Sequence, residues 1–271
     1  MHKEIQTQGQ CSCCGVCCEK GGATLQAEDM ALVAAGVLPP RVLVTVRAGE
    51  LAYDEAQQRL APRATEMIKL AGTGEAAHPW HCVLHRADKL CGIHAQRPAQ
   101  CRALFCRNTA ALEALYAQGQ ATRHDVLRAL PAALARGWVA VLQAYEEQCA
   151  MKALVPCALA ARQALEHAAA AQAMPPAQPE PQSPAQAKAI EALLHYVHYD
   201  HAFRAACCHK GGIKAADLPF LLGRALPCVL EGFGLALCRL PKGGIGLRIQ
   251  GKNYYAVNNA PRALGACLSW L

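Results

Sequence analysis

The sequence CSCCGVCC at residues 11–18 places five cysteines within eight residues. A second stretch, CVLHRADKLCGIHAQRPAQCRALFC at residues 82–106, supplies four more. A chain of 271 residues can bury a core without covalent cross-links, so its 16 cysteines need a chemical explanation. The rest of the chain is therefore interpreted as a scaffold for these thiols.

The first stretch has the spacing of a metal-ligand set. Two successive C-x-x-C steps, from Cys11 to Cys14 and from Cys14 to Cys17, can direct three thiolates to one centre through tight turns. Cys18 follows directly, and adjacent side chains tend to point apart. The doubled cysteine therefore favours a polynuclear centre or two neighbouring metals. Cys13 breaks the regular spacing and is left out of the predicted ligand set.

The second stretch completes a set of eight candidate thiolates with Cys82, Cys91, Cys101 and Cys106. Their gaps fit neither the short paired spacing of a zinc ribbon nor the runs found in ferredoxins. Ordinary burial in a core is an alternative for this second group, because cysteine is a common core residue. Eight thiolates can hold two four-cysteine centres or one larger cluster. Three arginines nearby can offset part of their negative charge: Arg97, Arg102 and Arg107.

Taken together, the two stretches resemble a bacterial cysteine-cluster family, the YkgJ type, described as zinc- or iron-chelating. The shared pattern is C-x2-C-x2-CC with a glycine pair, then W-x-C-x-L and C-G-I-H-x-x-R-P-x-x-C-R-x-L-x-C, within about residues 11–108. Besides the eight cysteines, the matching residues are Trp80, Leu84, Gly92, Ile93, His94, Arg97, Pro98, Arg102 and Leu104. The resemblance implies metal binding through Cys11, Cys14, Cys17, Cys18, Cys82, Cys91, Cys101 and Cys106, and leaves the metal open.

Other residues could join such a site. His81 and His85 flank Cys82 and can ligate a metal, although a structural or solvated role is more common for histidine. His94 stands where many members of the resembled family carry tyrosine, and it is not counted as a ligand. The sequence leaves open whether the site includes Cys13, Cys149 or the Cys207-Cys208 pair.

Composition excludes several classes of protein. Residues 1–10 are polar and no run of about 18 apolar residues occurs, so neither a secretory signal nor a membrane span is expected. A cytoplasmic location follows as an expectation, and cysteine clusters there bind metals more often than they form disulfides. The net charge of +7 is scattered without a Lys/Arg block, so no nucleic-acid partner is predicted.

The expected fold is mainly α, with an irregular cysteine-rich N-terminal metal-binding module, a helical bundle and a small C-terminal antiparallel β meander. The metal-binding domain and its following helices are expected at 1–172, and an α+β region at 188–271. Residues 173–187 contain five prolines and are interpreted as a linker. Helices are predicted at 24–36, 109–118, 123–130, 132–149, 156–173, 188–208 and 217–226, and strands at 41–46, 234–240, 245–250 and 254–257.

Some local features of these elements are also predicted. Residues 11–22 are expected to be irregular, and no element is assigned to residues 53–70. Thr122 is the predicted N-cap of the helix at 123–130, with Asp125 in its first turn. The predicted apolar face of the helix at 188–208 carries Ile190, Leu193, Leu194, Val197 and His201.

Three functions are compatible with these patterns. The first is an iron–sulfur or non-haem iron protein in redox chemistry or electron transfer, with a redox partner or protein substrate that the sequence does not identify. The second is a zinc scaffold or interaction protein whose metal only folds the N-terminal module. The third is a cluster-dependent methyl transferase, because the flagellin lysine methylases resemble the same family; that remains an analogy. The sequence does not decide whether the chain is an enzyme, and it names no catalytic residue.

Overall fold

A computed structural model describes residues 14–54, 59–75, 77–106, 108–116, 118–170, 184–239, 245–249 and 255–256. Cys11, Cys13, Arg107 and most of the predicted linker lie outside these residues. The chain divides into two compact units. The first, here the cysteine unit, comprises Met1–Val46, Met67–Val139 and Ala216–Gly223, and the second, here the helical unit, comprises Arg47–Glu66, Ala140–Ala215 and Arg224–Leu271.

The described residues are mainly helical, as predicted. The helices are α1 (Val16–Lys20), α2 (Met30–Ala34), α3 (Ala99–Ala103), α4 (Ala110–Tyr116), α5 (Arg123–Ala129), α6 (Ala132–Gln148), α7 (Met151–Ala170), α8 (Pro184–His209), α9 (Leu218–Leu221) and α10 (Leu226–Gly232). The strands are β1 (Leu43–Val46), β2 (Leu51–Asp54), β3 (Arg59–Pro62), β4 (Met67–Leu70), β5 (Leu235–Arg239), β6 (Ile245–Ile249) and β7 (Tyr255–Ala256). Among the described helices, none combines the length and apolar character that a membrane crossing requires.

The core of the cysteine unit is built on the antiparallel pair β1–β4. All four residues of β1 are buried, and Leu43 pairs with Leu70. The Thr45 hydroxyl donates to the carbonyl of Phe220 on α9 at 2.5 Å, so the polar atom within this buried strand has a partner. The Leu70 N–H donates to the carbonyl of Ala23 at 2.9 Å. The small sheet therefore anchors the segment that follows α1.

Three predictions for the cysteine unit are corrected. Residues 11–22 were expected to be irregular, but residues 16–20 form α1. The helix predicted at 24–36 is reduced to α2 and a preceding 3-10 turn, because Thr24 and Gln26 form bridges with Lys69 and Gln120. These long-range pairings override the local helical pattern. The stretch 53–70, for which the sequence indicated no structure, contributes to β2, β3 and β4.

The helical unit confirms the predicted apolar face of α8, on which Ile190, Leu193, Leu194 and Val197 are buried. Helix α7 begins five residues earlier than expected and contains Pro156. Proline removes one backbone hydrogen bond from a helix, and burial of Met151 and Leu154 in the first turns offsets that loss. Helix α8 begins at Pro184, so residues 184–187 of the predicted linker are helical, with proline at its favoured first position.

The C-terminal region forms the predicted antiparallel meander, with strand order β5–β6–β7. The single helix expected at 217–226 is two helices, α9 and α10. Gly223 lies between them at φ +78°, in the left-handed region that glycine adopts at little cost. That backbone conformation ends one helix before the next begins.

Candidate metal centre

Helix α1 brings the two cysteine stretches together. Gly15 precedes it with φ +79°, a conformation that favours glycine, and Cys17 and Cys18 lie within the helix. The Cys82 N–H donates to the Cys18 carbonyl at 2.8 Å. The beginning of the second stretch is therefore held directly against the end of the first.

Five thiols from these stretches interact electrostatically: Cys17, Cys18, Cys82, Cys91 and Cys101. Burial raises the pKa of Cys18 well above its usual range, and Cys17 and Cys82 raise it further. Burial also raises the pKa of Cys101 to about 12, with Cys82 and Cys17 adding to the shift and Arg97 opposing it. An ionised thiol in this group disfavours ionisation of its neighbours. Without a cation, Cys18 and Cys101 are therefore protonated at neutral pH.

The thiols that the structure describes do not form a complete coordination sphere. Among the residues that the structure describes, no group of three or more His, Cys, Asp or Glu side chains is placed so that it could hold a metal ion. Cys11 lies outside those residues, and Cys14 and Cys106 are exposed. The structure thus brings five of the eight predicted ligands into one electrostatic group and leaves two described ones at the surface.

A tight loop positions Cys82. Gly72 forms an isolated antiparallel bridge with Cys82, and the Thr73 N–H donates to the carbonyl of His81 at 2.8 Å. A Cβ atom on Gly72 would lie 2.1 Å from the carbonyl oxygen of Pro79, closer than nonbonded atoms can approach. Glycine is therefore required for the loop to close on itself and present Cys82, which is 4% exposed.

A second turn returns the chain from Cys82 to Cys91. The Gly92 N–H donates to the Leu84 carbonyl at 2.8 Å, and Cys91 forms an isolated bridge with His85. The pairing is antiparallel, so the chain reverses direction within the intervening residues. This reversal explains how Cys91, eight intervening residues away, lies close enough to raise the pKa of Cys82.

Helix α3 carries Cys101 and is fixed by a buried amide. The Gln100 side chain accepts a hydrogen bond from the Thr24 N–H at 2.9 Å. Arg97 lies near Cys101 and favours its thiolate, in agreement with the expected charge compensation. Arg102 instead pairs with Glu28 at 2.6 Å on the surface. The two described arginines therefore differ, because Arg97 acts on the Cys101 thiol and Arg102 forms an ion pair with Glu28.

A histidine pair lies beside the same thiols. His81 Nε2 and His85 Nδ1 are 2.6 Å apart, and the ring centroids are 4.8 Å apart. The remaining ring nitrogen of His85, Nε2, is buried and has no hydrogen-bond partner in the described part of the chain. A Cβ atom on Gly15 would lie 2.7 Å from it. The His85 ring thus occupies space that only a glycine at the start of α1 leaves open.

The helical unit contains a buried polar network that the sequence analysis missed. Arg47 Nε lies 3.2 Å from Glu50 Oε1, and both side chains are almost completely buried. The Tyr145 hydroxyl donates to Asp200 Oδ1 at 2.5 Å, and Arg204 Nε donates to the same oxygen at 2.7 Å. The only signal in the sequence is the position of these charges inside apolar segments, such as Arg47 directly after β1.

Cys149, considered above as an additional ligand, belongs to that network. Its thiol is buried, and burial raises its pKa, while Tyr145 and Arg47 oppose the shift. Its carbonyl accepts a hydrogen bond from Arg47 Nη1 at 3.3 Å. The electrostatic partners identified for Cys149 are thus groups of the helical unit.

Comparison of the chain with family models, with curated proteins and with solved structures finds no match.

Proposed function

We propose that the chain binds a metal centre through its two cysteine stretches, and that this centre is an iron–sulfur cluster or non-haem iron with a redox or electron-transfer role. The observation that supports the proposal most directly is that neighbouring thiols, Cys17 and Cys91 among them, contribute to the raised pKa of Cys18, Cys82 and Cys101. These residues come from three separate segments of the cysteine unit. Thiols brought together in this way can ligate a cation, which displaces their protons.

The donor set fits a thiophilic metal. Thiolates select iron–sulfur clusters, zinc and copper(I), whereas magnesium and calcium prefer oxygen ligands. Cys17 and Cys18 are adjacent and interact with each other, which suits a centre with more than one metal ion better than a single tetrahedral zinc. Cys11, Cys14 and Cys106 would complete the proposed set of eight. When bound, an iron–sulfur centre supplies one-electron chemistry.

The residues of the chain would hold and shield such a centre. Cys82 is the buried donor, Cys101 is half-buried, and Arg97 favours the thiolate of Cys101. The exposed Cys14 and Cys106 would lie on its solvent side, where a redox partner or a protein substrate could approach. Zinc in the same donor set is the competing outcome, in which case the metal stabilises the cysteine unit and carries no electrons.

The test is anaerobic purification followed by measurement of iron, zinc and acid-labile sulfide per chain and of the visible absorption spectrum. Iron with sulfide and a broad absorption in the blue supports the redox function. Stoichiometric zinc without colour supports the scaffold function. Recovery of the folded wild-type chain without metal, and without uptake of iron or zinc on reconstitution, would overturn the proposal.

Single substitutions locate the centre. Cys101→Ser on α3 should lose most of the bound metal, because the hydroxyl is a poor replacement for the thiolate. Cys228→Ser is the matched control, since this cysteine lies on α10 in the helical unit. Equal metal content in the two variants would contradict the assignment of the site to the cysteine unit.

A further inference from the structure

We propose that His85 is a nitrogen ligand of the same metal centre through Nε2, with His81 as the residue that positions it. This inference rests on the metal binding proposed above and adds an imidazole to a donor set otherwise made of thiols. Resemblance to the cysteine-cluster pattern does not imply it, because His85 lies outside the matching residues.

The first support is the unsatisfied nitrogen. His85 Nε2 is buried without a hydrogen-bond partner among the described residues. Leaving a buried polar atom unpaired is destabilising, and such atoms in native proteins call for an ion, a water or a functional role. A metal ion bound at Nε2 would satisfy the lone pair.

The second support is the partner of the other ring nitrogen. The distance of 2.6 Å between His81 Nε2 and His85 Nδ1 requires one proton between them. If His85 donates this proton from Nδ1, its Nε2 carries a lone pair and can bind a metal. Metal-ligating histidines commonly donate their second ring N–H to a neighbouring acceptor in this way. His81 is therefore assigned the positioning role.

The third support is the location of the ring. His85 is bridged to Cys91, and its N–H donates to the Cys82 carbonyl at 2.9 Å. Its Nε2 lies against Gly15, between Cys14 and Cys17 in the chain, at a point where a Cβ would be only 2.7 Å away. One imidazole nitrogen thus faces the backbone of the first cysteine stretch from within the second.

The chemical consequence concerns charge. A neutral imidazole among thiolates supplies a metal ligand without adding negative charge to the site. If the centre is an iron–sulfur cluster, histidine ligation raises its reduction potential relative to all-cysteine ligation. If the metal is zinc, the same nitrogen would make a mixed cysteine–histidine site.

The experiment uses the full chain, loaded with the metal found on anaerobic purification or, if that is zinc, with Co²⁺ as a spectroscopic probe. X-ray absorption at the metal edge of the wild type should show a nitrogen shell, at about 2.0–2.1 Å for zinc, besides sulfur. His85→Ala should lose that shell and, where Co²⁺ is the probe, bind it at least about 10-fold more weakly. His81→Ala should keep the shell and weaken binding by about 10-fold or more, as loss of a hydrogen-bonded support does.

His78→Ala is the matched control, because His78 lies in the same loop with an exposed side chain, and it should leave both readouts unchanged. If His85→Ala fails to fold, His85→Cys replaces it and should convert the nitrogen shell to sulfur. A metal-loaded wild type with sulfur ligands alone, or a nitrogen shell that persists without His85, would refute the role of His85 while metal binding stands. A wild type that takes up no metal would refute the proposed function itself.

Discussion

The Ala99 N–H donates to Oδ1 of Asp29 at 2.8 Å, so a residue near the start of the chain fixes the first turn of the helix that carries Cys101. Oδ2 of Asp29 accepts the Gln26 N–H, also at 2.8 Å. The Asp29 side chain is 1% exposed. One buried carboxylate therefore satisfies two backbone donors and connects two separate segments of the cysteine unit.

Replacement of Asp29 by alanine should lower the free energy of unfolding by about 2–4 kcal/mol, because two buried N–H groups lose their acceptor. Urea denaturation followed by circular dichroism measures the change. Glu28→Ala is the neighbouring control, since Glu28 forms an exposed ion pair with Arg102, and such pairs contribute at most about 1 kcal/mol. Similar effects of the two substitutions would show that the buried carboxylate is not the anchor of α3.

Metal loading of the chain should release protons at pH 7. The pKa of Cys101 is about 12 and that of Cys18 is raised still further, so both thiols carry a proton that a metal must displace. Calorimetric titration with zinc in two buffers of different ionisation enthalpy counts the released protons. Cys101→Ser should release fewer protons than the wild type. A titration enthalpy independent of the buffer would contradict the assignment of protonated thiols.

The metal-free chain should lose stability as the pH rises from about 9 to about 12. Cys101 keeps its proton in the folded state up to a pKa of about 12, whereas in the unfolded chain it ionises near its ordinary value of 9.0. Below pH 9 both states are protonated and this thiol adds no pH dependence; above it, ionisation favours the unfolded state. Thermal unfolding in the presence of a chelator measures the slope, which should be shallower for Cys101→Ser.

Tyr145→Phe should destabilise the helical unit by about 1–3 kcal/mol. The substitution removes the donor to the buried carboxylate of Asp200 and the hydroxyl that lies 3.4 Å from Arg47 Nη1. Tyr199→Phe serves as the control, because its hydroxyl makes an exposed hydrogen bond to the Ala144 carbonyl at 3.3 Å. Chemical denaturation of both variants gives the comparison, and equal stabilities would argue against the importance of the buried network.

Gly72→Ala should reduce metal content and stability together, because its Cβ would collide with the Pro79 carbonyl oxygen and open the loop that presents Cys82. Gly119→Ala is the matched control in the same unit, since a Cβ there has no atom within 4 Å among the neighbours that the structure describes. Metal analysis and thermal unfolding provide the readouts. Wild-type behaviour of Gly72→Ala would show that this close approach does not position Cys82.

Local patterns were sufficient for much of the secondary structure. Thr122 was predicted as the cap of α5 with Asp125 in its first turn, and the Thr122 N–H donates to Asp125 Oδ2 at 2.9 Å in the structure. The apolar face of α8 and the C-terminal meander were likewise predicted correctly. Each depends on residues within one or two turns, or on adjacent strands joined by short loops, so the information is contiguous in the chain.

Elsewhere, backbone pairing between segments far apart in sequence overrides the local pattern of apolar and polar residues. The segment from Thr24 has a helical pattern, but Thr24 and Gln26 instead form bridges with Lys69 and Gln120. Strand β4 was not predicted from the sequence. The backbone partners of both segments are remote in sequence. The sequence shows that His81 and His85 flank Cys82, but it does not show that Nε2 of His85 is buried without a hydrogen-bond partner among the described residues. Burial of one ring atom depends on what packs against it, here the backbone at Gly15.

The sequence by itself determined which residues could be ligands, because the C-x-x-C spacing and the surplus of thiols in a chain of 271 residues are properties of the linear order. Only the tertiary structure decided which of them meet. Cys18 and Cys82 are placed side by side by a backbone hydrogen bond, and the loop before Cys82 closes because Gly72 has no side chain. Such contacts depend on the packing of segments far apart in sequence, which no local spacing encodes.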